Sequence, residues 1–349
     1  MGDPRWGKGS GGGGVVGWLR RDRAALVVLL LVIAPYVADY TPLYTALLTE
    51  AIVFGLFALA FDIALGHTGV LSLGHSAFFG VAAYTTGLLL VHRRWGVGES
   101  VAAGMLAGLL TALIMGGLAL RKRGVYFAML TLALSQIPFF VVRMTLNFTG
   151  GDDGLSGVPK LKLIFPFEVP LSKNPRNLYF FIAAVVGVCT LLIRRILRSP
   201  FGRAMRAVRE NEERASACGY NTQRVKLLAI LLSGLFSGVA GALLTVLLEF
   251  VPIENVHWSM SGTVVIMAMF GGSGTFLGPF VGSTVFLWMR DYLSKRLEFW
   301  EVFVGGTFIL IVLFLPEGIV GTLKRWLLAR RAPAPGPLPA PTAPGERRV

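Results

Sequence analysis

The chain has 349 residues, of which 54% are hydrophobic and only 15% are charged, with a mean hydropathy of +0.67 and a formal net charge of +14. A soluble protein has about 25% charged residues, so this composition argues against a soluble helical protein and indicates a membrane protein. The positive charge would suggest nucleic-acid binding on a soluble chain, but an excess of Lys and Arg on cytoplasmic loops is sufficient to explain it here.

The N-terminal 23 residues are predicted to be a flexible cytoplasmic tail, and residues 326–349, which are rich in Pro and Ala, a disordered tail. Gly2, Gly7 and Lys8 fit the first part of a P-loop, but Gly9 stands where Ser or Thr would bind Mg²⁺. No signal-peptide pattern with a cleavage site precedes the first apolar run, so we expect that run to remain as a helix.

Residues 24–325 are predicted to form a transmembrane permease domain of hydrophobic segments separated by loops. The pattern predicts an all-α polytopic membrane protein with about 8–10 transmembrane helices. Two of the segments are glycine-rich and are expected to be broken or re-entrant. The segments are 24–40, 43–65, 75–91, 99–120, 125–146, 177–194, 226–248, 260–272, 276–290 and 300–320.

The distribution of Lys and Arg predicts that both termini lie in the cytoplasm of a bacterial inner membrane. If every segment crosses once, the inner side holds Arg121–Arg123, the basic loop at about 195–225 and the basic residues after 320, whereas the outer side holds fewer cations. Arg93, Arg94 and the 290–296 cluster fit this orientation least well.

Small residues recur at a spacing of four along several segments. The pairs are Gly104/Gly108, Gly234/Gly238, Ser237/Gly241 and Gly278/Gly282. Because small side chains let helix backbones approach closely in lipid, this spacing predicts a tightly packed bundle.

The stretch GHTGVLSLGHSAFFG (66–80) interrupts the apolar pattern, and MFGGSGTFLGPFVG (269–282) interrupts it again in the other half of the chain. Paired interruptions of this kind are typical of transport pathways, because broken helices expose backbone groups near the membrane midplane. We therefore predict that the pathway includes Gly66, Thr68, Gly69, Ser72, Gly74, His75, Gly271, Gly272, Gly274 and Gly278. Thr68, Ser72 and Ser76 are expected to satisfy the freed backbone groups.

The histidines of the first interruption are interpreted as hydrogen-bonding residues. His67 and His75 are eight residues apart, beyond the spacing of helical metal-ligand pairs, and no carboxylate or cysteine adjoins them in sequence. Cys189 and Cys218 form no ligand or disulfide pattern. We therefore predict no metal and no cofactor.

The loop at 195–225 is predicted to contain an amphipathic cytosolic helix that suits docking of a partner. Its cations step by three from Arg203 to Arg209, and Gly219 is its expected end. Ala204, Met205, Val208, Ala215 and Ala217 give it an apolar side.

Several stretches of the chain resemble a known transporter family. The stretch GHTGVLSLGHSAFFGVAAYT resembles the signature of LivM-type permeases of branched-chain amino-acid ABC transporters. RGVYFAMLTLALSQI, TGGDDGLSGVP, SPFGRAMRAVRENEERASACGYNTQRVKLLAI, FGGSGTFLGP and LFLPEGIVG are similar to later blocks of that family, in the same order, between about residues 43 and 325. Neither tail shares the resemblance.

The resemblance implies an inner-membrane permease that is paired with a LivH-type permease, two cytosolic ATPases and an external solute-binding protein. Residues 210–219 resemble the loop through which such ATPases act, which assigns ATPase coupling to Glu210, Asn211, Glu212, Ala215 and Gly219. The permease is not itself an enzyme, because the chain has no complete P-loop.

The external loop at about 147–176 contains a flexible acidic turn. The resemblance implies a binding protein on this side, so Gly151, Asp152, Asp153 and Gly154 are predicted to dock it. An ordinary surface turn is the alternative interpretation.

The sequence leaves alternative functions open. An ion-coupled secondary transporter would need intramembrane ionisable groups, for which Glu50 and Asp62 are the main candidates. The motifs of an intramembrane enzyme are missing from the sequence, and the paired interruptions argue against a purely structural subunit. Within the permease interpretation, urea, short-chain amides or another amino acid are alternative substrates to branched-chain amino acids.

Overall fold

A computed structural model describes residues 42–159, 162–163, 169–170, 175–315 and 317–329. The predicted N-terminal tail, the segment 24–40 and most of the Pro/Ala-rich tail lie outside these residues. The last helix runs to Ala329, so the tail boundary predicted at residue 325 falls inside a helix.

The described chain is almost entirely helical. The helices are α1 Pro42–Thr68, α2 His75–Leu88, α3 Val97–Ala119, α4 Val125–Met144, α5 Leu146–Thr149, α6 Pro175–Arg198, α7 Pro200–Glu210, α8 Glu212–Ala217, α9 Thr222–Leu248, α10 Trp258–Gly271, α11 Gly278–Ser294, α12 Trp300–Phe314 and α13 Gly318–Ala329. A π-helical turn, Leu89–Arg93, extends α2, and 3₁₀ turns form at Gly151–Asp153 and Ile253–Asn255. Two short strands, β1 Lys162–Leu163 and β2 Val169–Pro170, pair antiparallel, with Lys162 opposite Pro170.

Six of the described helical stretches are long and apolar enough to cross a membrane, which confirms the all-α polytopic class. They are Thr45–Thr68, Val97–Ala119, Val125–Met144, Arg176–Arg198, Thr222–Leu248 and Trp300–Thr322, of which the last runs from α12 into α13 across residue 316, outside the described residues. The predicted segments 75–91, 260–272 and 276–290 form the shorter helices α2, α10 and α11.

Helices α1 and α9 form the centre of the bundle. The most apolar windows of these two helices are 78% and 72% buried, whereas those of α3, α4 and α6 are 28% buried. A soluble protein would bury such apolar faces, so their exposure on the outer helices fits a lipid surround. Helix α9 packs against α1, α2 and α3.

Glycines allow α3 and α9 to pack with their backbones in contact. A Cβ atom at Gly108 would lie 2.8 Å from both the Gly234 carbonyl oxygen and the Gly238 Cα, and one at Gly238 would lie 3.1 Å from the Gly104 carbonyl oxygen. These distances leave no room for a larger residue. The predicted role of the four-residue glycine spacing is confirmed at this contact.

The bundle has two distinguishable ends. At one, which we name the basic end, lie α7 and α8, and the charge of Arg123 acts on Glu212 of α8. At the other, the opposite end, Leu155 and Val251 exchange two backbone hydrogen bonds of 2.9 and 3.0 Å. These positions agree with the alternating crossings that the distribution of cations predicts.

Candidate functional site

The first glycine segment, residues 66–74, covers the end of α1 and the link to α2. Helix α1 ends at Thr68 because Gly69 adopts a φ of +76°, a left-handed conformation that favours glycine. The Thr68 hydroxyl donates to the Ile63 carbonyl at 3.0 Å, and the Ser72 hydroxyl accepts from the Gly74 N–H at 3.3 Å. Both hydroxyls therefore satisfy backbone groups at the interruption, as the sequence predicts.

Two other helices supply the remaining partners of this segment. The Leu73 N–H donates to the Thr131 hydroxyl of α4 at 3.1 Å, and the Ser76 N–H donates to the Ser261 hydroxyl of α10 at 2.9 Å. The Ser76 hydroxyl itself is buried and has no hydrogen-bond partner in the described part of the chain. The prediction that Ser76 caps the interruption is therefore wrong, because Ser261 fills that role from a helix that is distant in sequence.

His75 joins three helices at the first turn of α2. Its Nδ1 lies 3.1 Å from the Ser72 carbonyl oxygen and its Nε2 lies 2.7 Å from the hydroxyl of Ser233 in α9. The Ser233 hydroxyl also lies 2.7 Å from the Ala60 carbonyl oxygen of α1. The ring is fully buried, so His75 acts as the packed hydrogen-bonding residue that the sequence predicts.

The second glycine segment, residues 272–277, forms a tight turn between α10 and α11. Gly272 and Gly274 have φ values of +109° and +80°. The Thr275 hydroxyl donates to the Gly272 carbonyl at 2.7 Å and accepts from the Gly278 N–H at 3.1 Å. A side chain at Gly271 would collide with the Gly278 carbonyl, so the end of α10 and the start of α11 are in backbone contact.

A buried carboxylate brings the two glycine segments together. Asp62 of α1 accepts the Gly274 N–H at 2.9 Å and the Ser273 hydroxyl at 3.0 Å, and its Oδ2 lies 3.4 Å from Nδ1 of His67. A Cβ at Gly66 would lie 2.5 Å from the Gly274 nitrogen. The sequence identifies Asp62 only as an intramembrane ionisable residue and gives no sign of this pairing.

Helix α7 contacts both glycine segments through one cation. The Arg209 Nη1 donates to the Gly66 carbonyl, and a Cβ at Gly274 would lie 2.9 Å from the same nitrogen. A Cβ at Gly69 would lie 3.3 Å from Cγ of Arg209. The basic loop and the two interruptions therefore form one site at the basic end. Sequence reasoning missed Arg209, which it treats only as part of a charged helical face.

The loop itself is built of two capped helices. Pro200 occupies the first turn of α7, where its missing N–H costs nothing, and the Ser199 hydroxyl accepts from the Gly202 N–H at 3.4 Å. The predicted apolar side is confirmed at four positions, which are buried: Ala204, Met205, Val208 and Ala215. Ala217 is exposed, so its assignment to that side is wrong.

The predicted coupling residues differ in their surroundings. Glu210 is exposed, and the Asn211 side chain caps α8 by accepting from the Arg214 N–H at 2.8 Å. The Glu212 carboxylate lies 2.6 Å from Nζ of Lys226 in α9. Partial burial of Glu212 by itself raises its pKa, but the hydrogen bond and charge of Lys226, with the charge of Arg123, lower the pKa below its usual value.

Two small residues of the predicted coupling set are constrained in different ways. Ala215 is buried in the main hydrophobic core of this chain, so packing within the chain explains its small size. Gly219 has a φ of +87° and follows the end of α8, as expected for a helix stop. No atom of the described chain lies within 4 Å of a Cβ placed there, so its constraint is conformational and not steric.

The acidic turn lies at the opposite end, away from the other predicted residues. Asp152 and Asp153 are exposed, whereas Gly151 and Gly154 are buried with φ values of +61° and +75°. Asp152 pairs with Arg143 at 3.0 Å. A Cβ at Gly154 would lie 2.5 Å from the Val251 carbonyl oxygen. The turn is therefore held against the backbone at Val251, unlike a surface loop without such contacts.

Metal binding finds no support in the observed geometry. In the residues that the structure describes, no group of three His, Cys, Asp or Glu side chains is placed to hold a metal ion. Cys189 is buried and Cys218 is exposed, and both are free thiols.

Most of the chain is similar to known transport permeases. The family described as "Branched-chain amino acid transport system / permease component" matches residues 43–312. The high-affinity branched-chain amino acid transport system permease protein LivM of Escherichia coli K12 is 27% identical over 338 residues, which cover 89% of this chain and 78% of the relative. The autoinducer 2 import system permease protein LsrC of Enterobacter sp. 638 is 26% identical and covers 87% of this chain and 89% of the relative. No solved structure matches the chain.

Proposed function

The chain belongs to the permease-component family of branched-chain amino acid transport systems, and from that membership we propose that it is the membrane-spanning subunit of an ATP-binding-cassette importer. Its partners are a LivH-type permease, two cytosolic ATPases that hydrolyse the ATP, and an external solute-binding protein. The observation that carries this proposal is the contact of α7 with both glycine segments, because it gives an ATPase docked on the basic loop a direct path to the interrupted helices.

We propose branched-chain amino acids as the substrates, carried across a bacterial inner membrane with both termini in the cytoplasm. The family description and the LivM relative support this substrate. The LsrC relative, whose name assigns it autoinducer 2, shows that similar permeases serve other molecules. Autoinducer 2, urea and short-chain amides are therefore the substrates to test against leucine.

Uptake by the complete complex in liposomes tests the proposal. This chain, its permease partner, the ATPases and the binding protein are expected to accumulate [³H]leucine only when ATP is supplied on the ATPase side. Omission of this chain is the matched control. Uptake that an ion gradient drives without ATP would identify a secondary transporter instead. Binding of urea or autoinducer 2, and not leucine, by the cognate binding protein would overturn the substrate assignment alone.

We propose that the acidic turn, Gly151–Gly154, docks the binding protein, and Asp153 is the cleaner residue to test. Asp152 already pairs with Arg143, so its reversal would also place two cations together, whereas Asp153 has no ion pair within the described chain. Asp153→Lys is expected to reduce stimulation of ATP hydrolysis by the binding protein about threefold, since a surface charge contact is worth roughly 1 kcal/mol or less. Unchanged stimulation at low salt, where screening is weakest, would favour an ordinary surface turn.

A further inference from the structure

Asp62 of α1 accepts hydrogen bonds from the turn between α10 and α11, which the packing of α1 itself does not require. The carboxylate is completely buried, yet its hydrogen-bond donors, Gly274 N–H and the Ser273 hydroxyl, come from a turn more than 200 residues away in sequence. Its second oxygen lies 3.1 Å from the same Gly274 nitrogen. A buried charge is costly, and an apolar residue of similar size often stabilises a fold as well or better. An ionisable residue among membrane segments is therefore a functional candidate.

The two glycine segments cannot slide past each other while these contacts persist. A Cβ at Gly66 would collide with the Asp62 carboxylate and would lie 2.5 Å from the Gly274 nitrogen, so the two backbones are in direct contact. The Arg209 guanidinium of α7 also contacts this junction, at Gly66 and Gly274.

We propose that Asp62 is a positioning residue that locks the α10–α11 turn to the end of α1, so that α7 moves both glycine segments as one unit. This inference rests on the proposed function, in which ATPase movement enters through α7. Arg209 donates a hydrogen bond to the Gly66 carbonyl but only abuts Gly274, so the hydrogen bonds of Asp62 tie the second segment to α1. Without the carboxylate, α7 still moves the first segment, whereas the second keeps only van der Waals contacts and follows less closely.

The test uses Asp62→Asn in the complete complex. The amide keeps the shape of the side chain but carries no charge, so the hydrogen bonds from Gly274 and Ser273 become weaker. It also places an N–H group where the Gly274 N–H requires an acceptor. Leucine uptake per ATP hydrolysed is expected to fall about tenfold, while ATPase association and ATP hydrolysis persist. Ser273→Ala, which removes one donor and is well tolerated sterically, is expected to lower the same ratio about threefold.

Glu50→Gln is the matched control, because it changes a second carboxylate of the same helix. Glu50 pairs with Arg290 at 2.7 Å and lies about 18 Å from Asp62 along α1, from the helical rise of about 1.5 Å per residue. Its uptake per ATP is expected to equal that of the wild type. An equal loss in Glu50→Gln and Asp62→Asn would show that any lost carboxylate destabilises the helix, and would overturn the inference.

Hydrogen exchange of residues 269–278 provides a readout that does not depend on the substrate. In the wild-type complex, ATP is expected to change the protection of this turn, and the change is expected to disappear in Asp62→Asn and to shrink in Ser273→Ala. Wild-type uptake per ATP with a preserved exchange response in both variants would overturn the proposal. If the wild-type complex does not transport leucine but shows the Asp62-dependent exchange response, the proposed substrate is wrong and the positioning role of Asp62 still holds.

Discussion

Replacement of Gly74 by leucine is expected to abolish uptake and to lower the amount of folded protein. A Cβ at this position would lie 2.5 Å from Cε of Met115 and 2.9 Å from the Thr131 carbonyl oxygen, before the rest of the side chain is added. Excess volume in a packed interior costs about 1–3 kcal/mol, and the Thr131 backbone cannot rotate away as a side chain can. The same displacement would separate Leu73 from its hydrogen bond to Thr131.

Gly69→Leu is expected to act differently, because its constraint is conformational. The left-handed backbone costs a residue with a side chain roughly 1–2 kcal/mol, and the nearest atom to the new Cβ is the Arg209 Cγ at 3.3 Å. The variant should therefore assemble, with leucine uptake reduced about tenfold, which corresponds to 1.4 kcal/mol.

The control for both variants is Gly117→Leu on α3, where, apart from the neighbouring turns of the helix, no atom of the described residues lies within 4 Å of an added Cβ. Its folded amount and its uptake should match those of the wild type. The measurement is detergent-extracted yield by fluorescence-detected gel filtration together with [³H]leucine uptake. If Gly69→Leu and Gly74→Leu both reach wild-type yield and uptake, the first glycine segment is not part of the pathway.

The course of the helices follows from the sequence because each one depends on local properties. An apolar run predicts α9, and the glycine-rich stretch from Gly66 predicts an interruption after the segment 43–65, although α1 runs three residues further, to Thr68. The four-residue spacing of glycines also predicts close helix packing, which the structure shows at Gly108 and Gly234, but the spacing does not say that α3 and α9 are the helices that meet.

The junction of the two glycine segments could not be predicted in the same way. Asp62 and Gly274 are far apart in the sequence, and the donor is a backbone N–H that carries no residue signature. The amphipathic pattern likewise predicts that Ala215 is buried, but it does not identify the residues that bury it. The structure shows that Ala215 packs in the core of this chain. The capping role expected of Ser76 belongs to Ser261 for the same reason, because any nearby hydroxyl can satisfy a free N–H.

The burial of Ala215 changes the best test of ATPase coupling. Ala215→Glu would place a charge in the core of this chain, so a loss of uptake would not distinguish coupling from misfolding. The side chains that an ATPase can reach are the exposed ones of α7 and α8, which include Glu210 and Glu213.

Charge reversal at these two positions, Glu210→Lys with Glu213→Lys, is expected to weaken ATPase association at least tenfold and to abolish leucine uptake. Two exposed carboxylates at the docking surface become cations beside Arg206 and Arg214, so a surface that presents mixed charge to its partner becomes uniformly positive. Neither residue is buried, and the helix bundle should fold as in the wild type.

The native thiol of Cys218 reports association directly, because it is exposed at the end of α8, whereas Cys189 is buried. In the wild-type complex the ATPases should protect Cys218 from a membrane-impermeant maleimide, and the double variant should lose this protection while the isolated permeases react at equal rates. Glu99→Lys, an exposed reversal near the opposite end at the start of α3, is the control and should keep both protection and uptake. The measurement is made at low salt, because contacts between surface charges are strongest where screening is least. If the double variant keeps both protection and uptake under this condition, the ATPases do not dock on the exposed face of α7 and α8.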